Sequence, residues 1–206
     1  GGPAAGGIGD KSVRQIACDI RPGAGKADQS AHPVKRLFQR DREMASLQNE
    51  TGQFEGAVTT LTGLLDNYTH SPRAAEAHLL RAYALGKQYE QDPHPHRKQA
   101  YRAALEEHRA TYPDSTTVGE ATWMLARLAE HERNWAEAIS LLEAIRPHIK
   151  RGFDAQARLA VVFERALADL RQRGEPIQKL TERAIKTLSE AVDAYPPEPE
   201  PLTEAQ

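Results

Sequence analysis

The stretch LARLAEHERNWAEAISLL, residues 125–142, decides the fold of this chain. It contains an aromatic residue, Trp135, that is followed three places later by Ala138. The same spacing recurs elsewhere, with threonine replacing the ring in the last copy, at Phe54/Ala57, Tyr101/Ala104 and Thr181/Ala184. Successive copies are 47, 34 and 46 residues apart. A period in this range is typical of a helical-repeat array, in which each unit buries its apolar face against its neighbours.

The composition favours packing through small and aliphatic side chains, because apolar residues make up 39% of the 206 residues and aromatic residues only 6%. The net charge of −2 argues against nucleic acid or an anionic membrane as an obligatory partner, since both require a basic surface. No apolar run approaches the ~20 residues that span a bilayer, so we expect no membrane insertion. Cys18 is the only cysteine, which excludes an intrachain disulfide and a cysteine zinc cluster.

Glycine and proline divide the chain into three parts. Residues 1–32 hold seven of the fourteen glycines, and we predict a flexible leader because so little apolar surface cannot offset the entropy of ordering. Residues 13–20 are a candidate ordered patch within this leader. We predict a helical domain over residues 33–195 and an extended Pro/Glu-rich tail over residues 196–206, because proline cannot continue a helix.

Seven or eight segments of the middle part show helical spacing of apolar residues, with proline and glycine between the segments and rarely inside them. No segment shows sustained alternation with β-branched residues, so we expect no sheet. The predicted fold class is therefore all-α. The predicted helices cover about 33–50, 53–68, 73–89, 96–111, 117–131, 134–146, 153–173 and 177–194.

Over about residues 34–196 the chain resembles the tetratricopeptide repeat (TPR) family. In the best copy, Ala126 stands at the small position of the first helix of a unit. Trp135 opens the second helix of that unit, and Ala138 is the alanine of the second helix. Gly52 falls at the family's turn between the two helices of the first unit.

The chain departs from the TPR pattern in its second and fourth units. Residues 92–96 form an insert in the second unit, and a long helix near 153–173 stretches the fourth, where Thr181 replaces the aromatic residue. The resemblance implies an α-solenoid of about four stacked antiparallel helix pairs. It also implies a non-catalytic protein–protein interaction scaffold that needs no cofactor.

A short linker, Tyr-Pro-x-Ser at residues 112–115, joins the second unit to the third, and Tyr68-x-x-Ser71 lies at the preceding junction. The linker is similar to those of bacterial envelope members of the family, including the periplasmic coordinator of the Tol–Pal system and the lipoprotein of outer-membrane β-barrel assembly. This likeness implies the periplasm or cell envelope, with the cytoplasm as the alternative. Serine at these positions is predicted to cap the start of the following helix by accepting a hydrogen bond from an otherwise unpaired amide.

In this family the first helix of each unit lines the concave face, where a protein or peptide partner binds. An exposed aromatic ring beside charged groups suits an extended peptide, because the ring supplies buried area and the charges set the register. The alternative is that Trp123 and Tyr83 serve only for packing between units. The repeat phase places these residues on that face: Arg42, Ser46, Asn49, Glu76, Leu79, Tyr83, Glu120, Trp123, Arg127 and Glu130.

His94 and His96, beside Asp92, raise the alternative of a metal site. Zinc requires three or four ligands, and the sequence identifies no third partner, so a solvated loop is favoured. No glycine-rich phosphate loop lies between a strand and a helix, and no Gly-x-Ser-x-Gly motif occurs. We therefore predict no metal, no cofactor and no catalytic residues.

Three hypotheses on function follow, in descending order. The first is a non-catalytic interaction module of a bacterial envelope complex. The second is a solenoid segment of a larger enzyme or regulatory protein, a reading suggested by a chain that begins Gly-Gly-Pro and not with Met. The third is a metal-dependent enzyme that uses the histidine loop. The identity of the partner, the role of Cys18 and the oligomeric state stay open.

Overall fold

A computed structural model describes residues 33–68, 70–145 and 151–194, and all regular secondary structure in these ranges is α-helical. This confirms the all-α prediction for the described residues. The leader at 1–32, with its patch at 13–20, and the tail at 196–206 lie outside these ranges. The helices are α1 Pro33–Glu50, α2 Phe54–Asn67, α3 Ala74–Gln91, α4 Pro95–Thr111, α5 Val118–His131, α6 Trp135–Glu143, α7 Gly152–Arg173 and α8 Gln178–Ala194.

Consecutive helices pack against each other along the whole series, and α1 also contacts α3 as α5 contacts α7. Residues 51–53 join α1 to α2, and residues 132–134 join α5 to α6. Because helices that pack side by side across so short a connection must run in opposite directions, these pairs are antiparallel. The result is an array of helices that is consistent with an α-solenoid.

A left-handed residue closes three of the turns between the helices of a pair. Gly52, Arg133 and Gly174 have φ values of 78°, 57° and 70°. In each turn the following amide donates to a carbonyl five residues back, for example Gln53 to Gln48 at 2.7 Å and Asn134 to Ala129 at 2.9 Å. This pattern satisfies carbonyls at a helix end that lack an intrahelical partner. The prediction of a glycine turn at Gly52 is confirmed. Nothing in the sequence indicated that Arg133 would adopt the same conformation in the equivalent turn of the third pair.

The alanines of the repeated motif lie in the core. Ala57, Ala104, Ala138 and Ala184 are between 0% and 7% exposed, and each lies in the second helix of its pair. Small side chains at these positions let neighbouring helices approach closely. The buried apolar residues form two clusters, one centred on α1 to α3 and one reaching from α3 to α8, with Tyr83 packed against both.

Another close approach between helices involves a glycine that the motif does not include. A Cβ atom added to Gly86 of α3 would lie 2.9 Å from Cε2 of Tyr101 in α4. Real Cβ atoms do not make contacts this short. Residue 86 must therefore be glycine where the Tyr101 ring of α4 packs against α3. Tyr101 is 1% exposed, and burial raises the pKa of its hydroxyl.

The two Tyr-x-x-Ser linkers share a backbone turn, but neither serine is the N-cap residue of the helix that follows. The amides of Ser71 and Ser115 donate to the carbonyls of Tyr68 and Tyr112 at 3.0 and 3.1 Å. The helices that follow begin three residues after each serine, and their N-cap residues make no side-chain capping bond. In addition to this turn, the Ser71 hydroxyl accepts a hydrogen bond from the Arg73 amide at 3.3 Å, as predicted, whereas the Ser115 hydroxyl bonds the Thr117 hydroxyl at 2.8 Å.

Candidate functional site

The structure places the predicted binding residues on α1, α3 and α5, but it buries most of them. Glu76, Tyr83 and Arg127 keep part of their surface exposed, whereas Leu79 is buried in the core. Trp123 is 8% exposed, so the expectation of an exposed tryptophan is wrong. The remaining predicted residues that are buried are Arg42 at 1%, Asn49 at 7%, Glu120 at 1% and Glu130 at 6%.

At the amino-terminal end of the array an ion pair joins α1 to α3. The guanidinium of Arg42 donates to the Glu76 carboxylate at 2.8 Å and to the side-chain oxygen of Gln39 at 3.2 Å. Burial lowers the pKa of Arg42, and the neighbouring Arg73 lowers it further, while Glu76 opposes both. The Glu76 side chain is 33% exposed, whereas the Arg42 side chain is 2% exposed. Solvent or a partner therefore reaches this ion pair only through the Glu76 carboxylate.

Two polar side chains beside this pair lack hydrogen-bond partners within the described residues. They are the buried amide of Asn49 and the hydroxyl of Ser46, one turn apart on α1. An unsatisfied buried amide destabilises a fold, so such groups are uncommon in proteins. Both residues belong to the predicted binding face.

Trp123 is covered by Arg151, the residue that precedes α7. The Arg151 guanidinium lies 5.1 Å from the centre of the Trp123 ring and donates to both Glu120 oxygens, at 2.7 and 3.0 Å. Burial alone would lower the pKa of Arg151, but hydrogen bonds to Glu120 and Asp154 raise that pKa overall. This stack joins α5 to α7, and Trp123 therefore serves for packing between units.

A second carboxylate, that of Glu130 on α5, is surrounded by arginines. Its side chain is 3% exposed, and it accepts two short hydrogen bonds from Arg158, at 2.9 and 2.6 Å. Arg127 lies 3.1 Å from the same carboxylate and Arg165 lies 3.7 Å from it. Arg127, Arg158 and Arg165 are called the arginine cluster below.

The arginine cluster carries more positive than negative charge. Burial lowers the pKa of Arg127, and the nearby Arg158 and Arg165 lower it further against the opposing effect of Glu130. The side chains of Arg127 and Arg158 are about one-quarter exposed, and that of Arg165 is 53% exposed. The cluster is therefore a cationic surface that solvent reaches. Sequence reasoning found only Arg127, because nothing local shows that α7 delivers two more arginines to Glu130.

A cluster of aromatic and histidine rings, also missed from the sequence, joins α3 to α4. The ring centres of His78 and His108 are 5.4 Å apart, and Tyr112 lies within 5.6 Å of both. His78 contacts Glu107 at 3.2 Å, and His108 bonds the Thr117 hydroxyl at 3.0 Å. Burial lowers the pKa of both imidazoles, that of His108 to about 4.

The histidine loop between α3 and α4 serves as a helix start. His94 is the N-cap of α4, and its Nδ1 lies 2.6 Å from Nδ1 of His96 and 3.4 Å from that residue's amide. Over residues 33–68, 70–145 and 151–194, no group of three or more His, Cys, Asp or Glu side chains is arranged to hold a metal ion.

One cleft, of about 860 Å³, opens between α1 and the connection from α2 to α3. Phe38 and Tyr68 meet edge to face on its apolar side, 5.8 Å apart. Lys35, Arg73 and Glu76 line its polar side. Through Glu76 the cleft adjoins the ion pair between α1 and α3.

Comparison with known proteins places the chain in no family. No protein-family model matches it, and no curated protein is significantly similar to it. None of the helices in the described ranges is long and apolar enough to cross a membrane.

Proposed function

We propose that this chain is a TPR-type solenoid that acts as a non-catalytic protein–protein interaction module. Its partner presents an extended segment to the face formed by the odd-numbered helices. The support for the repeat type is the recurrence of the motif alanines in the core and of the left-handed turn in three of the four pairs. Side chains of α1 and α3, and of α5 and α7, meet on this face.

The arginine cluster is the observation that carries the proposal. Three guanidinium groups share a single carboxylate at a partly exposed position, so an acidic segment of a partner would find accessible donors and favourable charge there. Tyr83 on α3 supplies an aromatic surface on the same face, with the Lys87 ammonium 5.6 Å from the centre of its ring. Of the two aromatic residues predicted for this face, Tyr83 is therefore the contact that we propose, because Trp123 is buried.

The location that we propose is the bacterial periplasm or envelope, on the likeness of the Tyr-Pro-x-Ser linker alone. The alternative is that the array is a segment of a larger enzyme or regulatory protein and binds another part of the same polypeptide. Cross-links from a photoreactive residue at position 83 distinguish the two. Cross-links to a separate protein favour the first, and cross-links within one longer polypeptide favour the second.

The test uses the partner so identified and two variants of α7. Arg165 is exposed and lies in the arginine cluster, whereas Arg171 is exposed and lies on another side of the helix. We expect Arg165→Ala to weaken binding about tenfold at low salt and to reduce its salt dependence, and Arg171→Ala to change it less than twofold. Equal affinities for the two variants, measured by calorimetric titration, would contradict the proposed face.

A further inference from the structure

The guanidinium groups of the arginine cluster meet at a single atom. Nη1 of Arg127, Nη2 of Arg158 and Nη1 of Arg165 lie 3.1, 2.6 and 3.7 Å from Oε2 of Glu130. Arg127 and Glu130 are neighbours on one face of α5, because they are three residues apart. Arg158 and Arg165 are about two turns apart and therefore share one side of α7. Two helices thus bring three positive charges to one carboxylate oxygen.

The cluster has more positive charge than Glu130 neutralises. Glu130 is the one carboxylate that pairs with these three guanidinium groups in the described part of the chain. Of the other acidic residues of α7, Asp154 and Asp169 pair with arginines outside the cluster, and Glu164 forms no ion pair within the described ranges. Three positive charges beside one negative charge leave a surplus of two. An anion bound from solvent relieves the repulsion that this surplus creates.

The arginines keep N–H groups for such an anion after Glu130 has been bonded. A guanidinium carries five N–H donors. Arg158 donates to Glu130 through Nε and Nη2, and Arg127 donates through Nη1. Arg165 is too far from Glu130 for a hydrogen bond, and it makes none to any other residue in the described ranges. The exposed Arg165 side chain therefore offers its whole fork to a ligand, and the other two arginines offer their unused N–H groups.

Charge and shape together select the kind of anion. A phosphomonoester has a charge of about −1.5 to −2 at neutral pH and three acceptor oxygens on one tetrahedral centre. It therefore matches a surplus of two charges that is concentrated near one atom. A carboxylate has a single charge, so two carboxylates would be needed, and their mutual repulsion opposes placing both at one point.

We propose that the arginine cluster binds a phosphomonoester group. Arg165 and the unused N–H groups of Arg127 and Arg158 donate to the phosphate oxygens, and Glu130 holds the three guanidinium groups together. The source of the group is a phosphorylated side chain of a partner or a free small phosphate, which share this chemistry. The inference rests on the proposed binding face and names the anionic group that this face recognises.

The test titrates the full chain with three small ligands that differ in charge and shape. They are the N-acetyl amides of O-phosphoserine, O-sulfoserine and glutamate. The sulfate ester has the tetrahedral shape of the phosphate with a single charge, and glutamate has a single charge on a planar group. In calorimetric titrations near neutral pH and at low salt, we expect the phosphoserine derivative to bind at least about tenfold more tightly than either of the others.

Variants of α7 assign the binding to the cluster. We expect Arg165→Gln to weaken binding of the phosphoserine derivative at least about fivefold. Arg165→Lys should lie between this variant and the wild type, because lysine keeps the charge but loses the planar fork. Arg171→Gln is the matched control on another side of the same helix and should stay within about twofold of the wild type. Circular dichroism checks that each variant keeps its helices.

A titration with inorganic phosphate identifies the source. Affinity equal to that of the phosphoserine derivative supports the inference with a free phosphate as the ligand, and weaker binding supports it with a phosphorylated side chain. The inference is overturned if none of the ligands binds, if the three blocked ligands bind equally, or if Arg165→Gln binds the phosphoserine derivative like the wild type.

These failures differ from a failure of the proposed function. Suppose that Arg165→Ala weakens binding of the protein partner while the phosphoserine and glutamate derivatives bind equally. The phosphate inference is then wrong, and the proposed binding face stands. If the phosphoserine derivative binds as expected but Arg165→Ala leaves partner binding unchanged, the proposed face is wrong and the phosphate site stands.

Discussion

Arg133 holds a backbone conformation that suits glycine. Its φ is 57°, and Gly52 and Gly174 have positive φ values of 78° and 70° in the equivalent turns of two other helix pairs. A left-handed conformation costs a residue with a Cβ roughly 1–2 kcal/mol, whereas glycine adopts it freely. We expect Arg133→Gly to raise the free energy of unfolding by about 1 kcal/mol, measured by urea denaturation, because the strain exceeds the added entropy of the unfolded chain.

The reverse change at Gly52 is the control. No atom lies within 4 Å of a Cβ added there, so only the backbone resists a side chain. Gly52→Ala should therefore lower the free energy of unfolding by about 1 kcal/mol. The interpretation of a shared left-handed turn fails if Arg133→Gly destabilises the protein or if Gly52→Ala has no effect.

The pair formed by α3 and α4 is sensitive to acid through its buried imidazoles. The pKa of His108 falls from 6.5 to about 4 in the folded chain, because burial disfavours the imidazolium and His78 adds repulsion. Protonation therefore favours the unfolded chain. The stability that neutral His108 contributes is complete above about pH 6.5 and is lost as the pH falls towards 4. The difference between these values corresponds to roughly 3 kcal/mol.

The variant His108→Gln isolates this loss of stability at low pH, because glutamine cannot take up a proton. Its Nε2 partner, the Thr117 hydroxyl, stays within reach of a side-chain amide. We expect the free energy of unfolding of this variant to fall about 3 kcal/mol less than that of the wild type between pH 7 and pH 4. The exposed His131→Gln serves as the control and should keep the wild-type slope. Parallel curves for all three proteins would show that His108 is not the acid-sensitive group.

The array as a whole depends on small residues where its helices meet. Ala126 and Ala138 are both 0% exposed, in the first and second helices of the third pair. Ala126→Leu and Ala138→Leu should each lower the free energy of unfolding by roughly 1–3 kcal/mol, because the added methyl groups strain a packed contact. Thermal and urea unfolding measure the change.

Ala136→Leu is the matched control for these substitutions, since Ala136 is exposed on the same helix as Ala138. We expect its unfolding free energy to stay within about 0.5 kcal/mol of the wild type, as for most surface substitutions. If the two buried alanines tolerate leucine as well as Ala136 does, the repeat phase on which the motif rests is wrong.

Local signals in the sequence were enough to place the helices. Prolines and glycines at 93, 95, 113 and 174 mark breaks that the structure confirms to within a few residues, because a helix boundary depends on the residues at that boundary. The burial of the motif alanines could also be predicted from the sequence, because helical periodicity depends only on residues that are near one another in the chain. The main deviation is α6, which ends at Glu143 and not near residue 146.

The exposure of the predicted binding face could not be read from the sequence, because it depends on residues far along the chain. Glu120 and Glu130 are charged and would be expected in solvent, but Arg151, which directly precedes α7, and Arg158 in α7 pair with them from 31 and 28 residues away. Repeat phase assigns a residue to a face of its own helix, whereas burial depends on what the neighbouring helix brings to that face. The sequence therefore determined the helices and their apolar faces, and only the packing of α7 on α5 decided that Trp123 is covered and that an arginine cluster forms beside it.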